Sequence, residues 1–213
     1  LQLLVNGAPS GIYAVVQKTY INFVIPWSAP TSGTAEFLLF NPVTREIVAA
    51  GTFLMTVADP AFKAANGAGT GQVLAANIDD GGLNSPQNPV GLGKVLQLAL
   101  TGQGLVSNPP PDGVAPSGLT STNPADLHVF LNAKEVPAQN ILFSGLDPTY
   151  PGSWIINLRI PDVSQGGPPP SNAVPIIVTM RDVASNYGYD PNNSNNDIQL
   201  TVPNGRITTI AVK

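Results

Sequence analysis

A chain of 213 residues has room for one large domain or two of about 100 residues each, and its 43% hydrophobic content can supply a packed core. Charged residues are only 10% of the chain and the net charge is -4, so no basic stripe exists to neutralise phosphates and nucleic-acid binding is disfavoured. The absence of cysteine removes disulfide frameworks, zinc thiolates and thiol nucleophiles from consideration.

With 22 prolines and 21 glycines spread along the chain, turns recur too often for long helices. Short β-branched and aromatic runs between those turns predict strands. In order they are "LQLLV", "IYAVV", "YINFVI", "TAEFLLF", "REIVAAGTFLMTVA", "GQVLAAN", "KVLQLALT", "DLHVFLN", "NILF", "SWIINLRI", "AVPIIVTM", "DIQLTV" and "RITTIAV". One helical turn is expected in "DPAFKAANGAG", ended by Gly67. No apolar run approaches the length of a membrane span. The opening "LQLLVNGAPSG" reads as the start of a processed, secreted chain.

The strand pattern occurs twice. Val5–Pro26 and Leu131–Pro161 each have an Asn after a strand, a Pro shortly beyond, an apolar strand, then "YINFVIP" or "IINLRIP". Each is followed by a Gly/Pro/Ser loop and another apolar strand. In the second copy Ile156, Leu158 and Ile160 share a face by alternation, opposite Asn157 and Arg159; in the first, Ile21, Phe23 and Ile25 lie opposite Asn22. Repetition of this many ordered features predicts an all-β chain of two tandem immunoglobulin-like β-sandwich domains. Two further strands precede the second copy and none precedes the first, so the first is expected to lack its opening strands. The expected boundaries are 1–58 for the incomplete sandwich, 59–70 for a linker and 71–213 for the second sandwich with an extra C-terminal hairpin strand after the turn "PNG".

The stretch 69–104 and the stretch 136–161 resemble the uncharacterised C-terminal domain of secreted proteins from Solibacter and other Acidobacteria. Gly71, Gln72, Asn77, Asn84, Ser85, Asn88, Pro89, Gly93, Thr101, Gly102 and Gly104 match that pattern in order, as do Gly145, Leu146, Pro148, Tyr150, Gly152, Asn157 and Pro161. The opening "VNGAPSGIYAVVQKTYINFVIP" is similar as well. The sequence departs from the pattern where Tyr20 and Ile155 replace a Gln. The resemblance implies secretion and a cell-surface setting, and no activity.

Residues able to carry chemistry are sparse, and no enzyme is expected. His128 shares a strand face with Asp126, but no nucleophile motif accompanies the pair. Asp79 and Asp80 are adjacent turn residues, unlike the separated acids of a glycosidase. In "YDPNNSNND", Asp190, Asn192, Ser194, Asn196 and Asp197 place oxygens at the spacing of a calcium loop, without its central Gly and distal Glu; calcium is thus the one cofactor considered. Tyr187 and Tyr189 flank a loop glycine and are the aromatics expected at a glycan surface, with Tyr13, Tyr20 and Trp27 as further platform candidates, whereas Trp154 reads as core. The five lysines sit in no recognisable isopeptide motif.

The incomplete first sandwich points to head-to-tail assembly of copies by β-strand addition. The expected donors are the C-terminal strand, with Ile210 and Val212 on one face beside Thr208 and with Ile207 on the other, or the N-terminal strand carrying Leu1, Leu3 and Val5. An extracellular fibre subunit is therefore the first expectation, an adhesin or carbohydrate-binding module on the cell surface the second, and a piece of a larger protein whose upstream residues supply the missing strands the third.

Overall fold

A computed structural model describes residues 1–16, 20–117, 120–185 and 207–213. These residues form seventeen strands and three short 3-10 turns, an all-β architecture in several sheets. The first 55 residues supply β1 (Gln2–Val5), β2 (Ala8–Ser10), β3 (Ile12–Val16), β4 (Tyr20–Phe23), β5 (Gly33–Phe40) and β6 (Ile47–Met55). They pair as a four-stranded sheet in the order β2-β1-β5-β6 and a separate hairpin, β3-β4.

The remainder supplies β7 (Ala61–Phe62), β8 (Gly71–Gln72), β9 (Ala75–Asn77), β10 (Val95–Thr101), β11 (Leu127–Leu131), β12 (Lys134–Glu135), β13 (Ile141–Leu146), β14 (Trp154–Arg159), β15 (Ser171–Met180), β16 (Val183–Ala184) and β17 (Thr208–Val212). One sheet runs β13-β14-β10-β7, with β9 also on β10; the other runs β12-β11-β15-β17-β8, with β16 on β15. Their inner faces close on one core in the manner of a sandwich. Strict alternation drives this packing: Leu96, Leu98 and Leu100 of β10 and Ile156 and Leu158 of β14 are fully buried, as is Trp154. Each such side chain contributes roughly 1.5–3 kcal/mol by leaving water. The Trp154 indole nitrogen, which burial would otherwise leave unpaired, donates to Ser144 Oγ at 2.8 Å.

Two expectations are corrected here. Residues 59–70 form neither a linker nor a helical turn: β7 pairs with β10, Ala64 bridges Val73, and Ala58, Phe62 and Ala64 are buried. Nor is β17 an accessory strand. It lies between β15, antiparallel, and β8, parallel, with Thr208, Ile210 and Val212 buried on one face.

The sequence repeat is a repeat of register. Leu3 pairs with Leu39 and Val5 with Phe37; Val129 pairs with Val178 and Leu131 with Ile176. The turns that follow match too, with Asn6 and Gly7 at φ 48° and 81° and Asn132 and Ala133 at 47° and 66°. Asn6 N donates to Glu36 O, and Asn132 N to Pro175 O, both at 2.9 Å. In β3-β4 a bulge lies between Ile12 and Ala14, after which Ala14 pairs with Asn22. In β13-β14 the bulge lies between Ile141 and Phe143, and Phe143 pairs with Asn157. Finally Ala35 pairs with Phe53 as Val174 pairs with Ile210, which makes β6 the counterpart of β17.

Candidate functional site: an open strand position in the first repeat

The equivalences identify where the strand pairings of the two repeats differ among the described residues. In the second, β14 has β13 on one side and β10 on the other, while β17 has β15 and β8. In the first, among the described residues, β4 pairs with β3 alone and β6 with β5 alone. Nothing among the described residues stands where β10 and β8 stand in the second repeat.

The consequence is visible in exposure. Ile160 is 0% exposed, whereas its counterpart Ile25 is 37% exposed. Of the large apolar residues left exposed, ten lie in the first 55 residues and nine in all the rest of the described chain. Tyr13, Val15, Val16 and Tyr20 of the β3-β4 hairpin are among the ten. What core the first repeat has comes from Leu3, Val5, Ala35 and Leu39, with Phe53 6.4 Å from both Phe23 and Phe37, centroid to centroid.

Backbone geometry aims the vacancy. Val24 N donates to Gly11 O at 2.9 Å, so the amides of alternate residues Ile21, Phe23 and Ile25 point to the other, unpaired side of β4. In the second repeat that side is used: Ile160 N donates to Lys94 O at 2.9 Å and Gly93 N to Ile160 O at 2.8 Å. The two asparagines differ in the same way. Asn157 Oδ1 accepts from Gln97 Nε2 of β10 at 3.0 Å, and Asn22 is exposed.

The first repeat is held to the rest by a polar clasp. Asp112 Oδ1 accepts from Trp27 N at 2.5 Å and Ser28 N at 3.2 Å, and Asp112 Oδ2 accepts from the Ser28 hydroxyl. The Ser28 hydroxyl first, and the two backbone amides after it, hold the Asp112 carboxyl below the usual aspartate range. Beside the clasp lies a cavity of about 340 Å³ lined by Tyr13, Ile25, Trp27, Val114 and Pro116, which borders the open side of β4 at Ile25.

The other sequence candidates fall elsewhere. Leu3 and Val5 are buried between β2 and β5, and Leu1 is exposed just outside β1. Ile207 is 44% exposed, but Thr208, Ile210 and Val212 belong to the second core. The strands expected to bridge neighbours are thus both built into their own chain's sheets. Tyr187, Tyr189, Asp190, Asn192, Ser194, Asn196 and Asp197 lie outside the described residues. His128 Nδ1 meets Glu135 Oε1 at 2.6 Å across β11-β12, on the surface, and Asp126 pairs with Arg181 at 3.4 Å instead. Asp79 accepts from Val95 N at 2.9 Å and Asp80 faces Lys94 at 3.9 Å, so both acids fasten a turn. Lys63 donates to Ser153 Oγ at 2.8 Å, and burial lowers its pKa against the opposing pull of Asp147. Among the described residues no group of three or more His, Cys, Asp or Glu side chains is placed to hold a metal, and no helix is long and apolar enough to cross a membrane.

Sequence reasoning missed the role of the recurring amides. Asn84 Nδ2 donates to Ala211 O at 2.8 Å while its Oδ1 accepts from Ala211 N at 2.9 Å. Gln72 Nε2 donates to Asn84 Oδ1 at 2.9 Å, Asn84 Nδ2 to Asn77 Oδ1 at 3.2 Å, and Asn77 Nδ2 to Asn88 O at 2.7 Å. The asparagines form a clip that locks β17 from its side, satisfying backbone groups that a short β8 leaves uncovered. The motif glycines answer a different need: a Cβ at Gly102 would strike the Asp59 carbonyl, and one at Gly145 the Thr120 carbonyl.

Comparison with protein-family models, with curated proteins and with solved structures found no match.

Proposed function

We propose that the chain is a non-catalytic, extracellular structural protein made of two immunoglobulin-like repeats, the first completed by β-strand addition from a neighbouring chain, so that copies join into a surface fibre. The observation that carries this reading is the exposed edge of β4 among the described residues, with Ile25 37% exposed where its counterpart Ile160 of the β14 edge is buried. The pairing order supports the immunoglobulin-like assignment, since the second repeat joins β10 to β14, β11 to β15 to β17, and β8 parallel to β17. An open apolar edge is a liability for a lone subunit and an asset for one that polymerises. The resemblance to secreted acidobacterial domains supports the extracellular setting.

Sedimentation velocity over a hundredfold concentration range tests the reading. Species that grow with concentration, and that Asn22→Lys on the exposed edge suppresses, are expected; a monomer at every concentration would end it. A second reading, a glycan-binding surface module, draws on the cavity beside Tyr13 and Trp27. It requires that Tyr13→Ala abolish binding in a glycan screen.

A further inference from the structure

A second cavity, of about 350 Å³, lies where β10 and β15 end and β11 begins, and it shares no lining residue with the one beside Tyr13 and Trp27. Two of its polar side chains are more than nine-tenths buried. Thr122 is satisfied, its hydroxyl 2.7 Å from Ser144 Oγ. Gln103 is only 8% exposed, yet its carboxamide makes no hydrogen bond to any described residue. A buried amide without a partner is costly, so this one calls for a partner from outside the fold. The backbone holds it in place. Gly102 and Gly104 flank it at φ 78° and 71°, and a Cβ on them would strike the carbonyls of Asp59 and Val57 respectively. Gln103 is thereby fixed against residues 57–59 and set into the cavity wall.

The rest of the wall indicates the chemistry of the ligand. Among the described residues it has two charged side chains, Asp126 and Arg181, paired with each other at 3.4 Å, and no aromatic ring. An ionic ligand meets no net charge there, and a nucleobase has no plate to stack on. Ser107 and Ser121, with hydroxyls 3.0 Å apart, and Asn123 add neutral donors and acceptors. Val57, Leu105 and Met180 give an apolar side. A carboxamide presents an N–H and an oxygen side by side, which matches two adjacent hydroxyls, one accepting and one donating. We infer that this cavity binds a neutral sugar through Gln103, whose carboxamide bridges a vicinal diol of one pyranose ring while the C–H face of that ring rests on the apolar side. The site belongs to the second repeat and is independent of strand addition.

The methyl pyranosides of glucose, galactose and mannose are the probes, titrated into the full-length protein while the Gln103 side-chain signals and the Gly102 and Gly104 amides are followed by NMR. A saturable shift with at least one of the three is expected, and none with a tetrahydropyran that lacks hydroxyls on adjacent ring carbons. Gln103→Met should weaken that binding about ten- to a hundred-fold, the loss of two hydrogen bonds. Its urea midpoint should be unchanged or higher, because an unpaired amide has left the interior. The diol comparison uses the unaltered protein, so a folding defect in the variant cannot imitate it. No saturable shift with any of the three sugars, an equal response to the diol-free ring, or undiminished binding by Gln103→Met overturns the inference. An equal response to N-methylacetamide would also overturn it, and would assign the cavity to a peptide.

Discussion

Asn84 bonds both backbone groups of Ala211, accepting from its nitrogen at 2.9 Å and donating to its oxygen at 2.8 Å, across 127 residues of sequence. One side chain stands in for a stretch of neighbouring strand. Removing it leaves the buried Ala211 N unpaired, since Ala211 O keeps its bond from Val90 N at 3.0 Å, and takes partners from Gln72 and Asn77. Asn84→Ala is expected to cost about 3 kcal/mol, read as a lower midpoint in urea denaturation with an unchanged slope.

A related expectation concerns β17 itself. Ile210 is fully buried, and its truncation to alanine should cost about 2–5 kcal/mol. A chain ending before residue 206 loses the whole strand and its clip, so thermal unfolding should show the second repeat molten while the first retains its sheet signal. Such a truncation would disable assembly for a reason unrelated to strand donation, which is why the Asn22 substitution is the cleaner probe.

At the paired turns, Gly7 and Ala133 occupy the same left-handed position at φ 81° and 66°. Only the second pays the Cβ penalty of that region. Ala133→Gly should stabilise by roughly 0.5–1 kcal/mol and Gly7→Ala should destabilise by a similar amount, both measurable as shifts in melting temperature.

The clasp on Asp112 gives a pH dependence of known sign. Its carboxyl is held below the usual aspartate range, so the clasp contributes fully above that range and is lost as pH falls through the lowered value. Protection of the Trp27 and Ser28 amides against exchange should fall as pH drops through that lowered value. Asp112→Asn, a neutral acceptor, should remove most of the pH dependence.

Much of this was legible in the sequence because the repeat is written in residues with local geometric roles. The Asn6 and Asn132 turns, the Asn22 and Asn157 strands and the alternation around them specify register directly. The two-residue β7 was not legible, since so short a strand has no alternation and sits among Asp59, Pro60 and Gly67, which read as punctuation. β17 read as an extra hairpin strand and candidate donor because a period of two looks the same in a covered strand and at an edge. The clip was hidden for another reason: no local signal says that Asn84 will meet Ala211. The alignment of Asn22 with Asn157, and of Asn157 with Gln97, needed coordinates.

The most direct test of strand addition at β4 is negative-stain electron microscopy of the untagged chain at neutral pH beside Asn22→Lys. Fibres from the first and dispersed particles from the second are predicted. Dispersed particles from both, or indistinguishable fibres from both, would contradict the account.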